Sequence, residues 1–372
     1  MHSKIRTVVV AAFAMVGMAF AVLPADAAQV IVVSPGQSIQ AAVDAASPGD
    51  TVLVRPGTYH ESVTISKDDI TLEGSGTGAG GTLLEPPAQF PDDFCASVPP
   101  DFPTEGGGIC VFGDFDHETG VVNSRVTGDR VTNLRVSGFA GDDIGTYATD
   151  SLRVDHVVAE NPGVYGLAVL ASTNTLVDDN TVRDVVSGQG AAMYLAFAPD
   201  ANLAVTHNTM TATSFGVFVQ DAGDVMLAGN TVTGSCDGML VLYDNHPDDG
   251  QALPAGNIAV SGNTLSADNE LCPANDFSHQ PEIKGTGIAL VGATKTAVTG
   301  NTVTGNTGTD LLSGGIVLLS AAPFGGLDES NVAITANTVT GNAPDDLHWD
   351  GNGTGVVISH NTCGTSSPAG LC

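Results

Sequence analysis

Short segments in which apolar and polar residues alternate recur along most of the chain with a nearly regular period. Six of them begin with Asn-Thr followed by Val, Met or Leu, and Asn361-Thr362-Cys363 closes the series; the six begin at Asn180, Asn208, Asn230, Asn263, Asn301 and Asn337. Successive copies start 22 to 38 residues apart, and the positions three residues before and two residues after each asparagine are apolar up to Cys363. One buried side chain flanked by polar ones indicates a short strand with a single buried face.

The repeat is too short for a strand–helix–strand crossover, and it lacks helical periodicity. It suits one coil of a solenoid, in which three short strands stack on the next coil about 4.8 Å away. The repeated Asn has a physical reason, because Asn tolerates a left-handed backbone at a sharp turn and stacked amides can pair. We interpret Asp155-His156-Val157 as a degenerate earlier copy, with Asp155 in the place of Asn. The pattern therefore predicts an all-β parallel β-helix.

A helix is predicted before the first coils. Ile39, Ala42, Val43 and Ala46 are spaced as one apolar stripe of a helix. Ser38 can cap its N-terminus, and Ser47-Pro48 ends it. Such a helix would cover the open end of the core.

The repeated Gly-Asn-Thr-Val-Thr-Gly, together with the segment from Ser38 to Tyr59, resembles the pectin-lyase-like superfamily, and within it the secreted bacterial right-handed β-helix repeat proteins. The resemblance implies a right-handed parallel β-helix of roughly ten coils with an N-terminal capping helix. We expect one domain over 28–372, divided into the cap and first coils (28–81), a loop insertion (82–113) and the repeat coils with the C-terminal end (114–372).

The first 27 residues are typical of an export signal. Lys4 and Arg6 precede an apolar run from Val8 to Leu23, and Ala25-Asp26-Ala27 has the form of a cleavage site. We therefore predict a secreted protein that is cleaved near Ala27. The formal charge of −30, from 41 acids and 11 bases, becomes 40 acids against 9 bases, or −31, because cleavage removes Lys4, Arg6 and Asp26.

This charge restricts the partners. A nucleic acid is excluded, because the chain has no basic face to meet a polyanion, and an anionic membrane surface is disfavoured for the same reason. An acidic polysaccharide would be repelled unless cations such as Ca²⁺ bridged it, whereas a neutral one would not be. We expect a monomer.

All six cysteines follow the cleavage site. An even number in an exported chain favours disulfides, and six cysteines allow 15 connectivities. Sequential pairing closes the shortest loops and is the predicted arrangement: Cys95–Cys110, Cys236–Cys272 and Cys363–Cys372. A cysteine metal site is the alternative, but no C-x-x-C spacing occurs.

Three acids follow the strand that comes after the glycine of successive repeats. They are Asp200, Asp221 and Asp244. In register, these carboxylates would lie one or two coil spacings apart. They would then raise one another's pKa or share a divalent cation, and either arrangement serves acid–base chemistry on a glycan. The alternative is that each Asp caps a turn.

The densest polar cluster runs from Tyr243 to Gly250. His246 in it is a candidate general base, and Asp221, Asp244 and Asp248 are candidate ligands of a cation such as Ca²⁺. A solvated acidic turn is the alternative. Asp142-Asp143, on an earlier coil, is a separate candidate pair.

The predicted function is binding or processing of an extracellular polysaccharide, with lyase, hydrolase and epimerase activities all open. The sequence blocks typical of β-helix polygalacturonases are absent, which favours a non-catalytic secreted scaffold or adhesin as the alternative. Copper delivery is a third hypothesis. It is disfavoured because the methionines of the coils lie at apolar strand positions, where a core role is expected: Met193, Met210, Met226 and Met239.

Overall fold

The computed structural model describes residues 27–97, 106–116, 121–185, 190–243, 256–274 and 281–372. In these ranges the chain winds through successive coils whose strands stack in parallel as three long sheets. Sheet A has twelve strands: β1 (Val30–Val33), β2 (Thr51–Val54), β5 (Thr71–Glu73), β11 (Arg130–Thr132), β15 (Arg153–Asp155), β18 (Leu176–Asp178), β21 (Leu203–Thr206), β24 (Gly223–Ala228), β27 (Gly256–Ser261), β32 (Thr296–Thr299), β35 (Ala333–Thr335) and β38 (Val357–Ser359).

Sheets B and C complete each coil. Sheet B has ten strands: β3 (Gly57–His60), β6 (Thr82–Glu85), β12 (Arg135–Ser137), β16 (Val158–Glu160), β19 (Thr181–Arg183), β22 (Thr209–Thr211), β25 (Thr231–Thr233), β28 (Thr264–Ser266), β33 (Thr302–Thr304) and β36 (Thr338–Thr340). Sheet C has eleven: β4 (Val63–Ile65), β7 (Ile109–Phe112), β13 (Ile144–Tyr147), β17 (Tyr165–Leu170), β20 (Ala191–Ala196), β23 (Phe215–Gln220), β26 (Asp237–Leu242), β31 (Thr286–Val291), β34 (Gly314–Leu319), β37 (Leu347–Trp349) and β39 (Ser366–Ser367).

Three small strand pairs decorate the coils. They are the antiparallel β8 (Asp114–Asp116) with β9 (Val121–Ser124), the parallel β10 (Val126–Thr127) with β14 (Thr149–Asp150), and the antiparallel β29 (Leu271–Cys272) with β30 (Ile283–Lys284). Short 3₁₀ segments cover Phe94–Ser97 and Ala322–Phe324. The predicted right-handed parallel β-helix is confirmed.

One continuous core runs along the helix axis. The two apolar positions of the repeat supply it, with Val177 and Val182 as examples that are at most 2% exposed. Met193, Met210 and Met239 also lie in this core, as predicted. Met226 does not: it points outward from sheet A and is 43% exposed.

The repeated asparagines form a ladder at the turn from sheet A to sheet B. Asn180 Nδ2 and N donate to Asn208 Oδ1 at 3.0 and 2.9 Å, and the pattern continues from coil to coil up to Asn361. The left-handed backbone falls on the residue before each asparagine, for example His207 with φ 55°. The predicted amide pairing is therefore confirmed, and the predicted left-handed asparagine is wrong.

The ladder also begins later than predicted. Asp155 pairs with Asp178, whereas Val157 lies opposite Asn180 and donates its N–H to Asn180 Oδ1 at 2.9 Å. Asp155 is thus not the equivalent of Asn180, because two residues of register separate them. It instead accepts bonds from Arg130 and Arg153.

Loss of one ladder amide is expected to destabilise the whole solenoid. Asn263 is buried, accepts from Asn230, and donates to Leu227 O and to Asn301 Oδ1. Asn263→Ala leaves several buried polar groups without hydrogen-bond partners. The free energy of unfolding measured in urea should therefore fall by about 3 kcal/mol. The exposed Asn352→Ala is the control; an equal loss in both variants would contradict the ladder's role.

The predicted helix and the predicted disulfides are confirmed. Helix α1 (Ile39–Ala45) buries Ile39, Ala42 and Val43, and Ser38 Oγ accepts the N–H of Ala41. The three disulfides join consecutive cysteines: Cys95–Cys110, Cys236–Cys272 and Cys363–Cys372. Within the described residues, no helix is long and apolar enough to cross a membrane.

Candidate functional site

Aromatic and acidic side chains are buried on the outer face of sheet C. Each strand breaks the simple alternation near its start. In β17, a Cβ added at Gly166 would lie 2.3 Å from Val182 Cγ1 of sheet B, and Leu167 also belongs to the core. Two consecutive inward positions therefore place Tyr165, Ala168 and Leu170 on the outside, where they join a second apolar cluster.

Aromatic rings stack along this outer face. Tyr165 and Tyr194, from successive coils, lie 4.6 Å apart between ring centroids at an interplanar angle of 18°. Phe218 continues the series 5.3 Å from Tyr194, and the Tyr194 hydroxyl donates to Gln220 Oε1 at 2.8 Å. The two tyrosines are buried, whereas the neighbouring side chains are half-exposed: Leu170, Phe197, Phe218, Gln220 and Leu242. We call these five residues the open strip.

A buried acid and phenol lie on the same face, one coil before Tyr165. The Tyr147 hydroxyl donates to Asp142 Oδ2 at 3.0 Å, and Asp142 Oδ1 has no hydrogen-bond partner. Burial raises the pKa of Asp142 to about 8, and burial together with Asp142 raises the pKa of Tyr147. A carboxyl that is neutral at pH 7 can act as a general acid. Phe94 packs edge-on to Tyr147, with ring centroids 5.1 Å apart.

Asp143 is separated from its neighbour by the strand geometry. Its N–H donates to Tyr165 O, which places it opposite Gly166 at an inward position. The side chain is fully buried, neither carboxylate oxygen has a partner, and burial raises its pKa well above the ordinary value. Asp142 and Asp143 are therefore not a catalytic pair: one faces outward and the other faces the core.

Asp237 is a second fully buried acid without partners, and it lies beside the Cys236–Cys272 disulfide. Burial, followed by repulsion from Asp268 and Asp310, raises its pKa well above the ordinary value. Asp268 accepts the N–H of Ser235, and burial raises its pKa to about 7. Burial thus favours the neutral form of both carboxyls more than it would be favoured in an exposed aspartate.

The predicted stacking of Asp200 on Asp221 does not occur. Ala196 pairs with Gln220, so Asp221 lies opposite Phe197. Asp200 is exposed and comes four residues after Ala196, whereas Asp221 follows Gln220 directly and is buried. The two acids follow their strands at different distances, so strand pairing does not bring their carboxylates together.

The other predicted site residues lie outside the described residues: Asp244, His246 and Asp248. Asp221, the remaining predicted ligand, has φ 46° at the end of β23, and its N–H donates to Leu242 O. Its assignment to catalysis or to Ca²⁺ stays a prediction.

Within the described ranges, one group of side chains has oxygen and nitrogen atoms close enough to hold a cation. Ligand atoms of Asp178, Asp179 and His207 lie within 4.8 Å of one another at the turn between sheets A and B. His207 Nδ1 is 3.0 Å from Asp178 Oδ1, and this contact raises the pKa of His207. An ion pair between these groups accounts for the arrangement.

Comparison with known proteins agrees with the fold. The family model of the right-handed β-helix region matches residues 142–323. This match and the solved structures below show that the chain has the right-handed parallel β-helix fold. No curated protein matches it in sequence.

Several solved structures superpose on this chain at low identity. The A-module of mannuronan C-5 epimerase AlgE4 from Azotobacter vinelandii is 14% identical with a TM-score of 0.54, covering 88% of this chain and 89% of that chain. The catalytic unit of an α-1,3-glucanase from Streptomyces thermodiastaticus is 18% identical with a TM-score of 0.58, covering 94% and 67%. A mutant tailspike protein of E. coli bacteriophage HK620, in complex with a pentasaccharide, is 13% identical with a TM-score of 0.52, covering 82% and 53%. These likenesses show the fold.

Sequence reasoning missed the tyrosines of the outer face. Tyr147, Tyr165 and Tyr194 belong to no motif and occur at different distances from the repeated asparagine. The pairing of β17 with β20 puts Ala192 opposite Gly166, so the inward position is not marked by a residue type that the sequence repeats.

Proposed function

We propose that this protein is exported and binds or processes an extracellular polysaccharide along the outer face of sheet C. The observation that carries the proposal is the aromatic stack of Tyr165, Tyr194 and Phe218 beside the half-exposed Gln220. Aromatic rings offer apolar surface to one face of a sugar, while amide and carboxyl groups bond its hydroxyls. The epimerase, glucanase and tailspike structures named above support a carbohydrate partner for this fold.

Export is supported by the N-terminal sequence and by the three disulfides, which persist in oxidising compartments. The formal charge of −30 favours a neutral polysaccharide, or an acidic one bridged by Ca²⁺. In an enzymatic reaction, Asp221 would act as a carboxylate; Asp142 lies three coils away and is fully buried, so the two do not act on the same bond. A cation held by Asp221 with Asp244 and Asp248 is part of the same proposal.

Binding without catalysis is the second candidate function. It is favoured by the burial of Asp142 and Tyr147, which are at most 1% exposed and so are shielded from a polymer outside. The open strip could still contact a glycan chain without any reaction.

Product analysis tests these alternatives. The mature protein is incubated with neutral and acidic polysaccharides, each with and without Ca²⁺, and the products are examined by mass spectrometry. Shortened chains establish catalysis, and the presence or absence of an added water separates hydrolase from lyase. Epimerisation leaves the mass unchanged, so it is read by NMR of the polymer.

The open strip is tested by substitution. Phe218→Ala with Gln220→Ala should weaken binding to the responsive polysaccharide by about 2 kcal/mol, or roughly 30-fold, in affinity electrophoresis. Phe324→Ala, at an exposed phenylalanine outside the stack, is the control. Unchanged affinity in the double variant would remove the open strip from the binding site.

A further inference from the structure

Sheet B carries a regular array of hydroxyl groups on its outer face. Five consecutive strands have the pattern hydroxyl–apolar–hydroxyl, in which the central residue is buried. The outward residues form two columns. The first is Thr209, Thr231, Thr264, Thr302 and Thr338, and the second is Thr211, Thr233, Ser266, Thr304 and Thr340.

The array is a two-dimensional lattice. Each residue of the array pairs directly with its equivalent in the next coil, without a register shift, so the backbone positions repeat about every 4.8 Å along the helix axis; the hydroxyls of Thr233 and Ser266 approach to 3.0 Å. Residues two apart on one strand are separated by about 6.6 Å, which sets the second repeat. Threonine is stiff at χ1, so its hydroxyl and methyl groups hold their positions. The surface is therefore ordered before any ligand arrives.

The array is accessible and uncharged. All five residues of the first column are exposed, and those of the second are exposed or half-exposed. The five strands contain no Asp, Glu, Lys or Arg, although the chain carries 41 acids and 11 bases. Three glycines of the flanking turns have open space around them, since a Cβ added at Gly300, Gly305 or Gly341 would meet no heavy atom within 4 Å.

This chemistry selects a flat, neutral and periodic partner. A nucleic acid, a metal ion or an acidic glycan needs charge, and a single glycan chain binds best in a concave site with aromatic rings. The five strands carry neither charged side chains nor a concave aromatic site. Their two repeats instead approximate the oxygen repeats on a prism face of hexagonal ice, with hydroxyls able to bond lattice water and methyls filling the spaces between.

We propose that the threonine array of sheet B is an ice-binding surface. It lies on a different sheet from the proposed polysaccharide site and uses none of its residues, so the two proposals stand or fall independently. The rigid solenoid explains how the lattice is held, because every strand of the array is bonded to a neighbouring strand on both sides or to a continuing coil.

The test uses the mature protein in slowly growing ice, with its concentration measured in the ice and in the remaining liquid. We expect enrichment in ice and faceted crystals. Thr264→Tyr with Thr302→Tyr places two rings on adjacent strands at the centre of the array and should abolish the enrichment. Ala259→Tyr with Ala297→Tyr, at paired exposed positions of sheet A, is the matched control and should leave it unchanged.

A second variant guards against misfolding. Thr264→Val with Thr302→Val keeps shape and strand propensity while removing two hydroxyls, so it should reduce enrichment with an unchanged melting temperature. Exclusion of the wild-type protein from ice overturns the proposal, as does equal loss in both tyrosine pairs. Binding of the array to crystalline cellulose without enrichment in ice would also overturn it and assign this face to a solid polysaccharide.

Discussion

At pH 8, Asp143→Asn is expected to be more stable than the wild-type protein, whereas at pH 4 the two should unfold at nearly the same urea concentration. The Asp143 carboxyl is fully buried and neither oxygen makes a well-formed hydrogen bond; burial holds its pKa well above the ordinary value, and the nearby Phe139 N–H offsets only part of that rise. An amide has nearly the same shape and cannot ionise. At high pH the variant therefore escapes the cost of burying a charge, which amounts to several kcal/mol for an unpaired carboxylate.

The sign follows from proton binding. A carboxyl whose pKa is raised on folding binds more protons in the folded state than in the unfolded state between the two pKa values, so stability falls as the pH rises through that window. Asp237 behaves in the same way as Asp143. Further carboxyls add to the trend, with pKa values raised by burial to about 7 or 8: Asp129, Asp142, Asp268 and Glu329. The wild-type protein should thus lose stability steadily from pH 4 to pH 8.

Urea unfolding at several pH values measures this effect, with Asp200→Asn at an exposed site as the control. A more stable wild-type protein at pH 8 would mean that the Asp143 carboxylate has a favourable partner, and would contradict the expectation.

The sequence predicts the features that depend on local rules or on exact repetition. The three-sheet solenoid follows from apolar columns at fixed offsets, and α1 follows from one stripe and the Ser38 cap. The disulfides follow from short loops. Each of these is set by residues that are near in sequence or repeated in every coil, so no knowledge of the register is needed.

The candidate site depends on register, and the expected alignment of Asp200 with Asp221 is not found, whereas the roles of the predicted site residues stay predictions. Asp200 and Asp221 look equivalent when counted along the chain, but one lies four residues and the other one residue after the paired ends of their strands. Two consecutive inward positions near the start of a sheet C strand reverse the alternation. Counting every second residue from the start of the strand therefore assigns the later side chains to the wrong face. The rings of Tyr165 and Tyr194 stack because of this geometry, and no local sequence pattern predicts the contact.

Gly166 occupies the first of two consecutive inward positions in β17. Gly166→Ala should therefore destabilise the protein, and a smaller residue at its partner on sheet B should restore part of the lost stability. A Cβ at Gly166 would lie 2.3 Å from Val182 Cγ1 and 2.7 Å from the backbone oxygen of Ala192, so a smaller residue at 182 relieves one of two close contacts. Other coils show how the volumes balance. Asp143 takes the position opposite Gly166, and Ala159 takes the position of Val182, so the larger inward residue meets the smaller partner.

We therefore expect Gly166→Ala to cost about 3 kcal/mol. Val182→Ala alone should cost about 2 kcal/mol as a cavity. The double variant should lose less than the sum of the two by about 1–2 kcal/mol, because each change makes room for the other. Gly78→Ala, where no heavy atom lies within 4 Å, is the control and should be nearly neutral. Additive losses in urea unfolding would show that the clash at Gly166 lies with the backbone rather than with Val182. Gly166 would then be required by strand stacking, whereas favourable coupling would mean that this coil matches its inward residue of sheet C to its partner on sheet B.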